Sequence, residues 1–163
     1  MELVTVCDAH IAELMRWFPD ADSCATWAGP DFRFPFTDAT FREDLRLTLP
    51  SLSLVDSNAE LLAFGQYYLR AGRCHLARLA VRPRARGQGL GRKLIARLSR
   101  IGRRNLQVSD CSLFVFEDNA PARRLYERLG FAPAVYPEEN LPQVQGMLYM
   151  VASSDAVDAW ERC

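Results

Sequence analysis

The stretch from Cys74 to Lys93 permits few folds. Its first part, Cys74 to Val81, alternates and is apolar enough for a strand, and Pro83, which cannot donate to a sheet ladder, ends it. Gly87, Gly89 and Gly91 follow at alternate positions. A helical pattern then starts at once, with Leu90, Leu94, Ile95, Leu98 and Ile101 on one side of a 3.6-residue turn. A strand, a glycine loop and a helix N-terminus in succession make a cradle for an anion. Backbone without side chains approaches a ligand closely, and open N–H groups and the helix dipole favour negative charge. Arg84, Arg86 and Arg92 surround the loop. The plain alternative is a tight strand-to-helix turn.

A P-loop needs Gly-Lys-Ser/Thr to hold magnesium, and here Gly91 is followed by Arg92 and Lys93. A dinucleotide fingerprint spaces its glycines G-x-G-x-x-G, one residue away from the G-x-G-x-G of this chain. Instead, Leu79-Ala80-Val81 ahead of Pro83, with Arg86, Gln88, Gly89 and Gly91, resembles the pyrophosphate loop of the GNAT superfamily of coenzyme A-dependent N-acyltransferases.

At 163 residues the chain fits one domain, 1–163, with a proper core. Its net charge of zero argues against nucleic acid or an anionic membrane as partner. No apolar run approaches the roughly 20 residues that span a bilayer, and the N-terminus does not read as a signal peptide. Cys7, Cys24, Cys74, Cys111 and Cys163 form no C-x-x-C pair and no metal-like spacing with His10 or His75. They read as reduced thiols of a cytoplasmic protein, without zinc.

Along the chain, Glu2–Cys7 reads as a strand, followed by a helix capped by Asp8 and carrying Ile11, Leu14 and Met15. From Pro19 to Pro35 prolines, a glycine and aromatics without period predict an ordered loop, with room for a helical turn. Thr37 caps a predicted helix from Asp38 to Leu49, stopped by Pro50. Leu52–Val55, Leu61–Leu69 and Cys74–Val81 form an expected antiparallel meander. The glycine loop's helix ends near Arg104-Asn105, and Cys111–Phe116 returns as a strand parallel to Cys74–Val81 through a right-handed crossover. A helix begins at Asn119-Pro121 and ends at Leu129-Gly130, with glycine at C′. Phe131–Val135 and Met147–Val151 form a closing strand pair, and Asp155–Arg162 a loose turn.

The second segment that carries the resemblance is Phe114-Val-Phe-Glu-Asp-Asn-Ala-Pro-Ala-Arg-Arg-Leu-Tyr-Glu-Arg-Leu-Gly-Phe131, with its asparagine, Leu-Tyr-Glu and Gly-Phe. The two segments together span Cys74 to Phe131, a little over a third of the chain. The implied fold is α/β (α+β), with a central mixed, mostly antiparallel sheet of about six to seven strands, a splayed parallel pair at strands four and five, and helices on both faces. By helical geometry Asn119 and Tyr126, seven apart, share a face, whereas Ala122, Leu125 and Leu129 form the expected core stripe. On geometry alone Tyr126 is a boundary tyrosine with a buried ring and a wet hydroxyl.

The resemblance implies an acetyl-CoA-dependent N-acetyltransferase. Backbone at Leu79, Ala80 and Val81 would bond the pantetheine and polarise the thioester. Arg86, Gly87, Gln88, Gly89, Leu90, Gly91 and Arg92 would hold the pyrophosphate, with Asn119 and Arg123 as further coenzyme contacts. Arg123 and Arg124 read equally well as solvated charges. Tyr126, protonated at neutral pH, would be the general acid. Where relatives carry a strand glutamate, neither strand here has an acid. The base is thus left to a water relay ending at Glu117 or Glu138, while a lone His75 reads as structural.

The acceptor that the resemblance implies is a primary amine of a small molecule or of a peptide or protein. Trp27, Phe32 and Phe34, with Glu138 and Glu139, read either as a cation-binding wall or as a hydrophobic clamp with an acidic rim. The donor's acyl length stays open, as does the choice between monomer and homodimer. Competing functions are a non-catalytic acyl-CoA sensor, favoured by the missing strand acid, and RNA binding through the arginine-rich helix, disfavoured by zero net charge.

Overall fold

The computed structural model describes residues 1–137 and 146–161. Its elements are β1 (Glu2–Thr5), α1 (Asp8–Met15), α2 (Ala21–Ala28), α3 (Asp38–Leu45), β2 (Ser51–Val55), β3 (Leu61–Arg70) and β4 (Arg73–Val81). A 3₁₀ turn at Pro83–Ala85 precedes α4 (Leu90–Leu106), β5 (Cys111–Phe116), α5 (Ala120–Arg128), β6 (Ala132–Pro133), β7 (Met147–Ala152) and α6 (Ser154–Glu161). The sheet has seven strands in the order β1-β2-β3-β4-β5-β7-β6. β1/β2, β2/β3, β5/β7 and β6/β7 pair antiparallel, and β4/β5 pair parallel, the expected mixed sheet with its parallel pair at strands four and five. That ladder is short. Only Cys74↔Cys111, His75↔Ser112 and Leu76↔Leu113 face one another, while β5 keeps pairing with β7 as far as Phe116.

The chain divides into two compact units, Met1–Gln66 with Arg78–Leu94, and Tyr67–Ala77 with Ile95 onward. The first has an aromatic core. Trp17, Phe18, Phe32, Phe41 and Phe64 are buried with Ile11 and Leu14 of α1, and Trp27 stacks on Phe18 with centroids 4.1 Å apart. This packing corrects the expectation of a loop from Pro19 to Pro35. Asp20 Oδ1 accepts from Ser23 N (2.8 Å), capping an eight-residue helix, α2, whose Cys24 and Trp27 turn into the cluster. α3 starts at the predicted cap, a reciprocal box between Thr37 and Thr40. It stops at Leu45 rather than Leu49, because Arg46 turns left-handed (φ 53°) and other side chains claim the terminal carbonyls. In α1, Asp8 is the first helical residue and Cys7 takes the cap position.

In the second unit α4 lies hard against the sheet. A Cβ at Gly102 would sit 2.5 Å from Cys74 Sγ and 2.9 Å from the Tyr67 ring. The chain's last described segment is a helix, α6, and not a loose turn. Ser154 N donates to Asp110 Oδ1 (3.0 Å), Val157 is buried, and Trp160 stacks on Phe131 while its Nε1 donates to Leu129 O (2.8 Å).

Alanine normally gains about 1 kcal/mol over glycine inside a helix, yet Gly102→Ala is expected to lower stability, since overpacking costs about 1–3 kcal/mol. Adding Cys74→Ala should recover part of the loss. A higher urea midpoint for Gly102→Ala alone would contradict this packing.

Candidate active site

β4 does not run regularly into the glycine loop. Arg78 is left-handed (φ 49°) in mid-strand, an uncommon state for a residue with a side chain. Before it Cys74 faces α4, and after it Leu79 and Val81 pack on the cluster of Leu54, Ala63, Leu90 and Leu94. The change from even to odd positions is that of a one-residue bulge. The Arg78 side chain secures it: Nη1 donates to Gln66 Oε1 (2.8 Å) and Nη2 to Asp44 O (3.0 Å). Buried Gln66 in turn donates from Nε2 to Leu45 O (2.9 Å) and Ser51 Oγ (2.7 Å). Ala80, between Leu79 and Val81, packs on the aromatic cluster instead.

After Val81, Arg82 pairs with Glu60 (2.9 Å) and Glu13 (3.3 Å), and its N–H donates to Leu62 O, tying the loop's entry to the sheet. Gly87 and Gly89 are left-handed (φ 79° and 75°), and a Cβ at either would meet no atom within 4 Å. Glycine is needed there for conformation, and the space before the loop is open. Buried Leu90 anchors α4, whose first helical bond is Lys93 N to Gly89 O (3.2 Å). The N–H groups of Gly89, Leu90, Gly91 and Arg92 therefore have no partner within the helix and stand at its positive end. Gln88 and Arg92 are exposed, and exposed Arg86 folds back, with Nε donating to Val81 O (3.4 Å). This cradle fits a pyrophosphate.

α5 is built by its two ends. Asn119 Oδ1 caps it, accepting from Ala122 N (3.4 Å). Gly130 is left-handed (φ 80°), Phe131 N donates to Tyr126 O (3.0 Å) and Gly130 N to Glu127 O (2.9 Å), a Schellman motif. In that motif the residue after the glycine touches the side chain five positions back, and Tyr126 and Phe131 meet edge to face (5.9 Å). Tyr126 is therefore only 8% exposed, with Leu129 buried and Leu125 half-buried. The expected stripe through Leu125 is corrected to one through Tyr126. Burial pushes the Tyr126 phenol up to about 12. Arg123 is engaged within its own helix and turn, donating to Glu117 O (2.9 Å) and pairing with Glu127 (3.5 Å). The Glu117 side chain is exposed at the end of β5. Burial pushes His75 down to about 3, and its Nδ1 lies 2.9 Å from Ser112 Oγ, so this neutral ring is a poor proton acceptor.

Trp27 and Phe32 belong to the aromatic core, Phe34 lies at its margin against Phe36, and Glu138 and Glu139 lie outside the described residues. Arg78 and Gln66 were not marked by any local pattern, since their partners are 12 to 34 positions away in sequence. No helix among the described residues is long and apolar enough to cross a membrane.

Hydrogen bonds to charged groups contribute about 1.5–3 kcal/mol. Arg78→Met and Gln66→Leu are each expected to destabilise by about 2–3 kcal/mol in urea melts, because the first strips buried Gln66 Oε1 of its donor and the second strips Arg78 Nη1 of its 2.8 Å acceptor. The double variant should lose at least about 1 kcal/mol less than the two losses added together. Strict additivity would contradict the network.

Residues 21–131, more than half the chain, match the acetyltransferase (GNAT) family. Solved structures share the fold. Spermidine N-acetyltransferase from Vibrio cholerae, crystallised with CoA and spermine, is 16% identical over 96% of each chain, with a TM-score of 0.72. The ribosomal-protein-S18-alanine N-acetyltransferase of Escherichia coli is 22% identical over 93% of this chain and 92% of its own, with a TM-score of 0.63. The PaiA N-acetyltransferase of Thermoplasma acidophilum, in complex with coenzyme A, is 17% identical over 93% of this chain and 98% of its own, at 0.65. With its cradle, its bulged strand and this match, the chain belongs to the GNAT family of acetyltransferases.

Proposed function

We propose that the protein transfers an acetyl group from acetyl-CoA to a primary amine of a small molecule or peptide. The observation that carries this reading is the cradle: two left-handed glycines with open space before them, followed by four N–H groups without helical partners. Solved structures of the same fold hold coenzyme A, which supports that donor. Acetyl-CoA supplies the acyl carbon and, on transfer, a thiolate that needs a proton.

The chain's own residues then have these roles. Amides at Gly89 to Arg92 hold the pyrophosphate, with Arg86, Gly87 and Gln88 shaping the loop. Backbone at Leu79 to Val81, past the bulge, orients the thioester arm. Asn119 caps α5 and so sets the pitch of Tyr126, while Arg123 fixes the turn before it. Glu117 ends the water relay that removes the amine's proton.

Tyr126 Oη donates a hydrogen bond to the departing sulfur, and the released thiolate takes its proton from solvent. With a phenol near 12 and a thiol near 8.5, a completed transfer to a free thiolate would run uphill by about 5 kcal/mol at 1.36 kcal/mol per pKa unit. The hydroxyl therefore acts chiefly as a donor to charge developing on sulfur, while the C–S bond breaks. A donor hydroxyl must be protonated, so activity that depends on Tyr126 is lost only as pH rises through about 12.

The test is free-thiol release from acetyl-CoA across a panel of amines. Tyr126→Phe should lower kcat by about 10²–10⁴-fold with little change in acetyl-CoA affinity, and wild-type kcat should show no alkaline fall centred near pH 10. A folded Tyr126→Phe enzyme retaining more than roughly half its activity would make the hydroxyl incidental. Tight acetyl-CoA binding without thiol release for any amine would favour the non-catalytic sensor, the reading that the lack of a strand acid supports.

A further inference from the structure

The end of β3 holds a cation with no role in the chemistry above. The guanidinium carbon of Arg70 lies 4.9 Å from the ring centre of Phe114 and 5.4 Å from that of Tyr136. Nε donates to the Tyr136 hydroxyl (2.9 Å) and Nη1 to that of Tyr68 (3.1 Å). Among the described residues no carboxylate pairs with it. Two neutral hydroxyls fix the plane of the fork without neutralising it, and of the five N–H donors of an arginine they use two. A part-buried charge is ordinarily matched by an opposite one.

The walls are equally specific. Tyr149 stands edge-on to Tyr136 (5.0 Å) and 5.3 Å from Phe114, and its hydroxyl is buried with no hydrogen-bond partner among the described residues. Tyr149 as a whole is 6% exposed. His75, 5.0 Å from Phe114 and 5.1 Å from Tyr68, is neutral and adds no competing charge. Among the described residues the cluster thus offers a planar fork with donors left over and a buried hydroxyl without a partner, set among aromatic faces. That set matches the two oxygens of a carboxylate, which arginine binds in parallel pairs. Its place is also informative. Phe114 is the first β5 residue beyond Leu76↔Leu113, so one ring against the guanidinium belongs to the residue at which β4 and β5 cease to pair.

We propose that Arg70 binds a carboxylate of the acceptor, so that the acceptor is an amine that also carries a carboxylate. Tyr68 and Tyr136 are positioning residues for the fork, and Tyr149 Oη is a second donor. This rests on the acetyltransferase reading. It sets a polycation such as spermidine apart as a poor substrate, because Arg70 would repel it.

The experiment compares acetyl transfer to free amino acids, to their carboxamides, to tetrapeptides with Glu or Gln after the first residue, and to spermidine. Wild type, Arg70→Gln and Arg70→Lys are each assayed. Carboxylate-bearing amines are expected to be favoured at least 10-fold in kcat/KM over their amide partners. Arg70→Gln should raise their KM at least 10-fold and leave that for acetyl-CoA unchanged, and Arg70→Lys should keep part of the preference. A preference for free amino acids identifies a small-molecule acceptor, and one for Glu tetrapeptides an acidic peptide. Equal rates for acid and amide, a preference that survives Arg70→Gln, or preferred spermidine would each overturn the proposal.

Calorimetric titration of the wild type with N-acetyl amino acids and their amides reads the same site without turnover. Binding of the acid at least 10-fold tighter than the amide is expected, and equal affinity overturns the proposal even if Arg70→Gln does not fold. Acid-selective binding without acetylation of any amine would fail the enzyme reading alone. Selective binding that emerges only in Glu138→Gln/Glu139→Gln would make the chain's own acid the occupant and overturn the proposal.

Discussion

The structure depends on one arginine that breaks its own strand. Arg78 takes a left-handed conformation in the middle of β4, and its guanidinium holds Asp44 O and Gln66 Oε1. A left-handed non-glycine residue costs roughly 1–2 kcal/mol, and the two short charge-assisted bonds offset that cost. The same bonds end α3 at Leu45, whose carbonyl Gln66 claims. The bulge turns Leu79 and Val81 toward Leu90 and Leu94, which sets the line along which the chain enters the glycine loop.

From that entry the cradle is built by local rules. Pro83 closes the strand, Arg82 is clamped by Glu60 and Glu13, Gly87 and Gly89 supply left-handed turns, and Leu90 fixes α4 to the core. Tyr126 is positioned by a local rule of another kind. The glycine after α5 forces a Schellman turn, and the contact that goes with it buries the tyrosine ring against Phe131. One motif thus supplies both the tyrosine's place and, through burial, its raised pKa.

These local rules are why so much of the site is legible in the sequence. The strand, loop and helix from Cys74 onward, the cap at Asn119 and the glycine at Gly130 all act over a few residues. Gly130 at C′ even specifies Tyr126 as the residue that meets Phe131, a sharper signal than the stripe through Leu125. What was not legible rests on distant partners. α2 forms because Cys24 and Trp27 join an aromatic core drawn from α1, α3 and β3, and its aperiodic sequence hides this. α6 depends on Asp110 and Leu129, and the bulge at Arg78 on Asp44 and Gln66. The aromatics Trp27 and Phe32 look like ligand-binding residues by composition, and only packing shows them to be core.

The central claim is that backbone amides at the start of α4 hold the coenzyme's pyrophosphate. Its most direct measurement is a ¹⁵N–¹H titration of the assigned protein with coenzyme A, beside one with pantetheine, which has the arm but no phosphates. The account predicts that coenzyme A moves the amide signals of Gly89, Leu90, Gly91 and Arg92 more than any others and that pantetheine leaves those four in place. Unmoved loop amides at saturating coenzyme A, or equal shifts with pantetheine, would contradict it.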